Sequence, residues 1–212
     1  MHFNKFPWLR DTIRKSFRAV GLDLIRYNFH YSEDALLKKI LDQFQIDLVI
    51  DVGANLGQYG SLLRDLGYKN QIYSFEPIGE VFEKLQRRAA KNDKWEAFNN
   101  GVGSKSESLF INISENFVSS SLLQITDAST TAKPDTKFAR QEKISVITLD
   151  SFFKDRRIES WKNPFLKIDV QGYEKQVIDG SLMILKNIAV LQIELSLIKL
   201  YEGSMLYKEV IS

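Results

Sequence analysis

Leu48-Val49-Ile50-Asp51-Val52-Gly53-Ala54-Asn55-Leu56-Gly57 reads as a buried strand that runs straight into a glycine turn. The apolar run from Leu48 to Ile50 is too short for a helix and rich in β-branched side chains, which suits a strand covered on both faces. Gly53 and Gly57 let the chain bend sharply and let another group approach where a Cβ would collide. A helix after such a turn presents unpaired amides at its start.

Outward from this unit the pattern recurs. Gln71-Ile72-Tyr73-Ser74-Phe75 is a strand that ends at Glu76-Pro77. The helix after it sets Val81, Phe82, Leu85 and Ala89 inward and Lys84, Arg87, Arg88 and Lys91 outward. A weaker strand covers Trp95 to Phe98. Residues 108–113 and 143–149 alternate as half-buried strands, and the polar stretch 115–140 between them reads as a long loop or lid. Residues 165–168 form a strand ending at Asp169; a short helix through Val177 follows and stops at Gly180. Residues 189–193 form a further strand, ending at Glu194. Upstream, Ser32 caps a helix whose Leu36, Leu37, Ile40, Leu41 and Phe44 share one face.

Strands alternating with helices predict an α/β fold: a mostly parallel sheet with right-handed crossovers and helices on both faces. Such sheets bind ligands beyond the carboxyl ends of their strands. Asp51, Glu76, Asp169 and Glu194 all stand at such ends and should line one edge of the sheet.

Composition narrows the chemistry. The 212 residues include no cysteine, which excludes disulfides and thiolate metal sites. His2 and His30 both precede the first strong strand, so a histidine base in the core is not expected. Nothing in the spacing demands a metal. No stretch reaches the ~18 apolar residues that span a bilayer, and residues 1–30 lack a secretory h-region, so a cytoplasmic protein is expected. Residues 1–31 hold six basic side chains against Asp11 and Asp23, on a mildly acidic remainder. This basic arm reads either as a solvated helix face or as peripheral contact with an anionic membrane. Its helical part should leave Arg10, Arg14, Lys15 and Arg18 exposed. No nucleic-acid partner is expected.

Glu76 lies 19 residues beyond Gly57, where an acid accepts hydrogen bonds from the hydroxyls of an adenosine ribose. A dinucleotide site wants a glycine where Asn55 stands, and Asp51 is unfavourable beside a pyrophosphate. S-adenosylmethionine carries a sulfonium and an ammonium instead, which suit an acid at the first strand end. This favours S-adenosylmethionine over NAD.

The motifs Ile50-Asp51-Val52-Gly53-Ala54-Asn55-Leu56-Gly57-Gln58, Ser74-Phe75-Glu76-Pro77 and Leu166-Lys167-Ile168-Asp169-Val170-Gln171-Gly172-Tyr173-Glu174 resemble the FkbM family of methyltransferases. Asn100-Gly101-Val102-Gly103, Ser119-Ser120-Ser121-Leu122, Thr148-Leu149-Asp150 and Glu194-Leu195-Ser196 with Tyr201 match its pattern in order. The resemblance covers roughly residues 46–210. It implies the Rossmann-like sheet of class I methyltransferases and O-methylation of a hydroxyl on a sugar, glycan or polyketide-like acceptor. On it, the cofactor contacts fall on Asp51, Gly53, Ala54, Asn55, Gly57, Glu76, Pro77, Asn100, Gly101 and Asp169.

Two departures stand out. Many members carry Glu where this chain has Gln171. The family's sheet also ends in an antiparallel strand pair, whereas this sequence ends at Ser212. The expected arrangement is therefore a basic arm over 1–31 and an incomplete domain over 32–212. Residues 189–194 become a bare sheet edge and 207–212 a helix start with little to pack against. Such a chain could be an inactive fragment or a non-catalytic binding module; an NAD-dependent oxidoreductase is the more distant alternative.

Methyl transfer needs the acceptor oxygen in line with the sulfur and its proton removed. Asp169 is the candidate base, its alternative role being a cofactor contact or helix cap. Lys167 lies on the same side of the strand. Glu174 is placed either to bond an acceptor hydroxyl or to favour the helix start. Glu194 is the fourth acid within reach of an acceptor pocket.

Overall fold

The computed structural model describes residues 7–19, 30, 32–114, 120–123, 138–197 and 201–210. Contacts divide the chain into two compact units, residues 1–42 and 43–212.

The first unit holds two helices, α1 (Pro7–Ala19) and the larger part of α2 (Glu33–Gln43). Ser32 caps α2 as its sequence suggests, its hydroxyl accepting from the Ala35 amide at 3.3 Å. Leu36 and Phe44, expected on the inner face with Leu41, are instead exposed. On α1, Lys15 and Arg18 are exposed; the side chains of Arg10 and Arg14 lie outside the described residues.

The second unit is built on β1 (Leu48–Val52), β2 (Gln71–Phe75), β3 (Trp95–Phe98), β7 (Pro164–Ile168) and β8 (Val190–Ile193). They form one fully parallel sheet in the order β3-β2-β1-β7-β8. Burial follows position. Every residue of the central strands β1 and β7 is buried, Asp51 and Lys167 among otherwise apolar side chains, while edge strand β8 leaves Leu191 and Gln192 exposed.

Helices cover both faces. On one, Leu48, Ile50 and Val52 pack with Phe152 and Phe153 of α5 (Leu149–Arg156) and Val177 of α6 (Glu174–Asp179). On the other, α3 (Gln58–Asp65) presses Gly60 against the Trp95 ring, so closely that an added Cβ would lie 2.2 Å from it. α4 (Gly79–Ala89) buries Val81, Leu85 and Ala89.

A second sheet, β4-β6-β5, joins β4 (Gly101–Val102), β5 (Glu107–Ser114) and β6 (Phe138–Ile147). Ile111, Ile113, Ile144 and Val146 pack on Ile78 and Val81. The expected alternation holds over 143–147 but not in β5, where Asn112 and Ser114 are buried as well. The expected strand over 143–149 ends earlier, at Ile147. Thr148 caps α5 by accepting from the Ser151 amide at 3.0 Å, which makes Leu149 the first residue of a helix. The expected loop over 115–140 also shrinks. Residues 138–140 belong to β6, and Ser121 pairs with Asn112 of β5 through two backbone bonds of 2.9 and 3.0 Å. Residues 115–119 and 124–137 lie outside the described residues.

The amino ends of the main strands are cross-tied. Arg64 donates to the carbonyls of Tyr68 and Asn70 before β2 and of Asp93 and Lys94 before β3. Asn70 donates to the Ile46 carbonyl before β1. Asp47 accepts from the Lys162 and Asn163 amides before β7.

Near the end of the described chain lies a short helix, α7 (Tyr207–Val210), with Tyr207 exposed. No helix among the described residues is long and apolar enough to cross a membrane.

Candidate functional site

The turn after β1 is welded to the ends of its neighbours. The Gly53 and Ala54 amides both donate to the Phe75 carbonyl, at 3.1 and 2.9 Å. Gly53 has a φ of +80°, and a Cβ there would sit 1.8 Å from the backbone oxygen of Asp169. The glycine is therefore required by β7's end, not only by ligand space. Asn55 takes a left-handed conformation at φ +48°, its side-chain oxygen accepting from the Leu56 amide at 2.7 Å.

Glu76 closes the other side of this turn. One carboxylate oxygen accepts from the Asn55 amide at 3.0 Å, the other from the Ile78 amide at 2.9 Å. Each oxygen retains acceptor capacity for a ligand. Burial raises this carboxyl, the two amides lower it, and the charges of Asp51 and Glu142 raise it further; it ends at about 7.

These elements wall a cavity of about 560 Å³. Gly53, Ala54, Asn55, Glu76, Pro77, Asn100 and Gly101 line it together with Lys167 and Asp169, so nine sequence-marked residues meet in one place. Four others, Gly57, Asp51, Glu174 and Glu194, do not line it. Gly57 turns its Cβ direction toward Leu85 and Trp95. Asp51 is fully buried, because it pairs in register with Lys167 and points into the helix-covered face. Its oxygens meet Lys167 Nζ at 3.3 Å and the Ser74 hydroxyl at 3.4 Å, behind the cavity lining. Glu174 is also buried and accepts the Gly172 amide at 2.9 Å, which closes the turn into α6. That bond stabilises the turn.

Asp169 is held from two directions. One oxygen is 3.2 Å from Lys167 Nζ; the other accepts from the Gln171 side-chain amide at 3.0 Å. Burial works against the Lys167 charge, but Asp51 and Asp169 outweigh it and hold the ammonium above its ordinary value. Both carboxylates thus favour the charged form of Lys167. Glu194 sits beside Asp169, whose charge, followed by burial and a shared hydrogen bond, raises the Glu194 carboxyl.

Four residues build this site to which the sequence assigns no role: Gln171, Ser121 and Tyr201 enter only within matched motifs, and Tyr59 not at all. Gln171, at φ +53°, accepts from the Tyr201 hydroxyl at 3.2 Å while its backbone oxygen accepts from Ser121 at 2.7 Å. It links three segments far apart in the chain. Tyr59 lies with its ring 5.0 Å from Lys167 Nζ and donates to Gln192 at 2.8 Å. The sequence marks Gln171 only as the absence of an acid, and the pairings of Ser121, Tyr201 and Tyr59 depend on tertiary contacts that no local pattern announces.

Among the described residues, no group of three or more histidine or acidic side chains is arranged to hold a metal ion. No curated protein matches the chain. The model of the Methyltransferase FkbM domain matches residues 51–212, the span that contains the glycine turn, Glu76 and the Asp169 cluster. The chain belongs to the FkbM methyltransferase domain family.

Proposed function

We propose that this methyltransferase takes S-adenosylmethionine as donor and methylates a hydroxyl oxygen of a sugar, glycan or polyketide-like acceptor. The observation that carries this reading is the cavity into which the β2 and β7 ends deliver Glu76 and Asp169 around Gly53. Its volume of about 560 Å³ suits a ligand of nucleoside size. Phe75, Ile78, Val81 and Leu122 give it an apolar side for a base, and Glu76 has acceptors for ribose hydroxyls. Asp51 and Asp169 share one ammonium, Lys167, and Glu76 adds a third acid beside the cavity, a balance that suits a cationic ligand better than a pyrophosphate.

When bound, S-adenosylmethionine supplies a methyl group on a sulfonium, open to in-line displacement. Asp169 takes the acceptor's hydroxyl proton on a carboxylate oxygen. Gln171 and Lys167 each hold one of its oxygens and fix its plane.

Glu76→Ala is expected to weaken S-adenosylhomocysteine binding by about 1.5–3 kcal/mol, the scale of a hydrogen bond to a charged group. Unchanged affinity in a folded variant would remove Glu76 from the site. Because ligand hydroxyls favour the ionised carboxylate, binding should tighten between about pH 6 and about pH 8 and release a proton near 7. Calorimetry in buffers of different ionisation enthalpy reads that proton. The sign for folding is opposite. The ligand-free protein keeps a proton on Glu76 from the ordinary value of 4.5 up to about 7, so this group's contribution to stability is lost as pH rises through that window.

A further inference from the structure

Helix α1 carries two stripes in register. Arg10, Arg14 and Arg18 recur every four residues, and so do Leu9, Ile13 and Phe17. Residues four apart lie on one helix face, so the sequence sets a row of arginine positions beside a row of apolar positions. Lys15 adds a further exposed cation, and Asp11 is the helix's one acid. Phe17 lies 39% exposed on the apolar row. Ser16, at that row's margin, turns its hydroxyl back to the Thr12 carbonyl at 3.2 Å and so satisfies it within the helix.

A partner for this helix must offer anionic groups and an apolar layer side by side along about 20 Å, the length of such a helix. A nucleic acid or an acidic peptide offers the charge without the apolar depth. A bilayer with anionic headgroups offers both in one plane, and a basic amphipathic helix with Leu and Phe on its other face is the form that lies in it.

We propose that α1 docks on an anionic lipid surface, its apolar row at the boundary between headgroups and acyl chains and its arginines among the phosphates. This tethers the methyltransferase unit to a bilayer. The charge attraction acts over a Debye length, whereas the apolar row acts only on contact, so the two contributions separate experimentally.

The test is cosedimentation of the full chain with phosphatidylcholine vesicles containing about 30% phosphatidylglycerol, against phosphatidylcholine alone. The full chain is expected to partition onto the anionic vesicles only. Partitioning should fall at least about tenfold when salt rises from about 50 to about 500 mM. Arg10→Ala with Arg14→Ala should lower it by about tenfold or more at low salt, and Ile13→Ser with Phe17→Ser should lower it as well. Both variants should keep their S-adenosylhomocysteine affinity. A full chain that stays in the supernatant with anionic vesicles at low salt overturns the proposal. So does binding that ignores both salt and the arginine changes. Binding that a polyanion competes away, and that Ile13→Ser with Phe17→Ser leaves unchanged, would assign the helix to a nucleic acid or acidic protein instead.

Discussion

Gly53→Val is expected to cost this protein its fold rather than its ligand alone. From the sequence, a valine there should fill cofactor space and leave the sheet intact. The geometry revises that expectation, since even a single Cβ would meet the Asp169 carbonyl oxygen at 1.8 Å, and φ is +80°. Backbone cannot yield as a side chain can, because the Asp169 amide is itself bonded to the Val52 carbonyl at 3.0 Å. A cost of about 4 kcal/mol or more is expected, a large fraction of the ~5–15 kcal/mol that holds a domain together. Two controls separate collision from strain. Gly67→Ala has φ +88° but nothing within 4 Å, so strain alone should cost about 1 kcal/mol. Gly180→Ala has an ordinary φ of −87° but sets a Cβ 1.9 Å from the Gly103 carbonyl oxygen, so it suffers collision alone. Thermal unfolding and soluble yield rank the three. A Gly53→Val protein that melts with the unaltered chain would show that the turn does not pack on the β7 end.

Asp169→Asn is expected to slow methyl transfer by about 10²–10⁴-fold, the span that a positioned general base contributes. Asparagine keeps the shape but cannot take the hydroxyl proton. It also offers a single acceptor where two donors, Lys167 and Gln171, converge. The readout is single-turnover transfer of labelled methyl from S-adenosylmethionine to an acceptor found by screening hydroxylated compounds. S-adenosylhomocysteine calorimetry runs beside it. Slow transfer with retained binding assigns Asp169 to the proton. Transfer and binding lost together would make it a donor contact, and full activity would remove it from the chemistry.

The parallel sheet was legible because its strands announce themselves twice, by short apolar runs and by the acids that end them. Leu48 to Asp51 and Phe165 to Asp169 are the clearest cases. The same logic misjudged Asp51. Strand ends tell which residues reach the ligand edge, but not that a register partner, Lys167, stands between the acid and the cavity. Residues 143–149 misled by one alternation too many, because Thr148 reads equally as strand or cap until its hydroxyl finds the Ser151 amide. Gly180 was placed correctly as a helix stop, for a reason the sequence does not contain: contact with Gly103, 77 positions earlier in the chain. Gln171 was seen only as a missing charge, whereas its two side-chain bonds depend on Asp169 and Tyr201 arriving together.

The ties at the amino ends of the strands, made by Arg64, Asn70 and Asp47, bear on how the molecule breathes. Sub-global openings follow the weakest cooperative contacts. Four carbonyls gathered on one guanidinium leave little to open at that end. Native-state hydrogen exchange should therefore be slowest at the starts of β1, β2 and β7. It should quicken toward their carboxyl ends, where small loops carry the site. Ligand exchange then proceeds by fluctuation of the loops alone, over a sheet clamped at its far end like the fixed root of a reed.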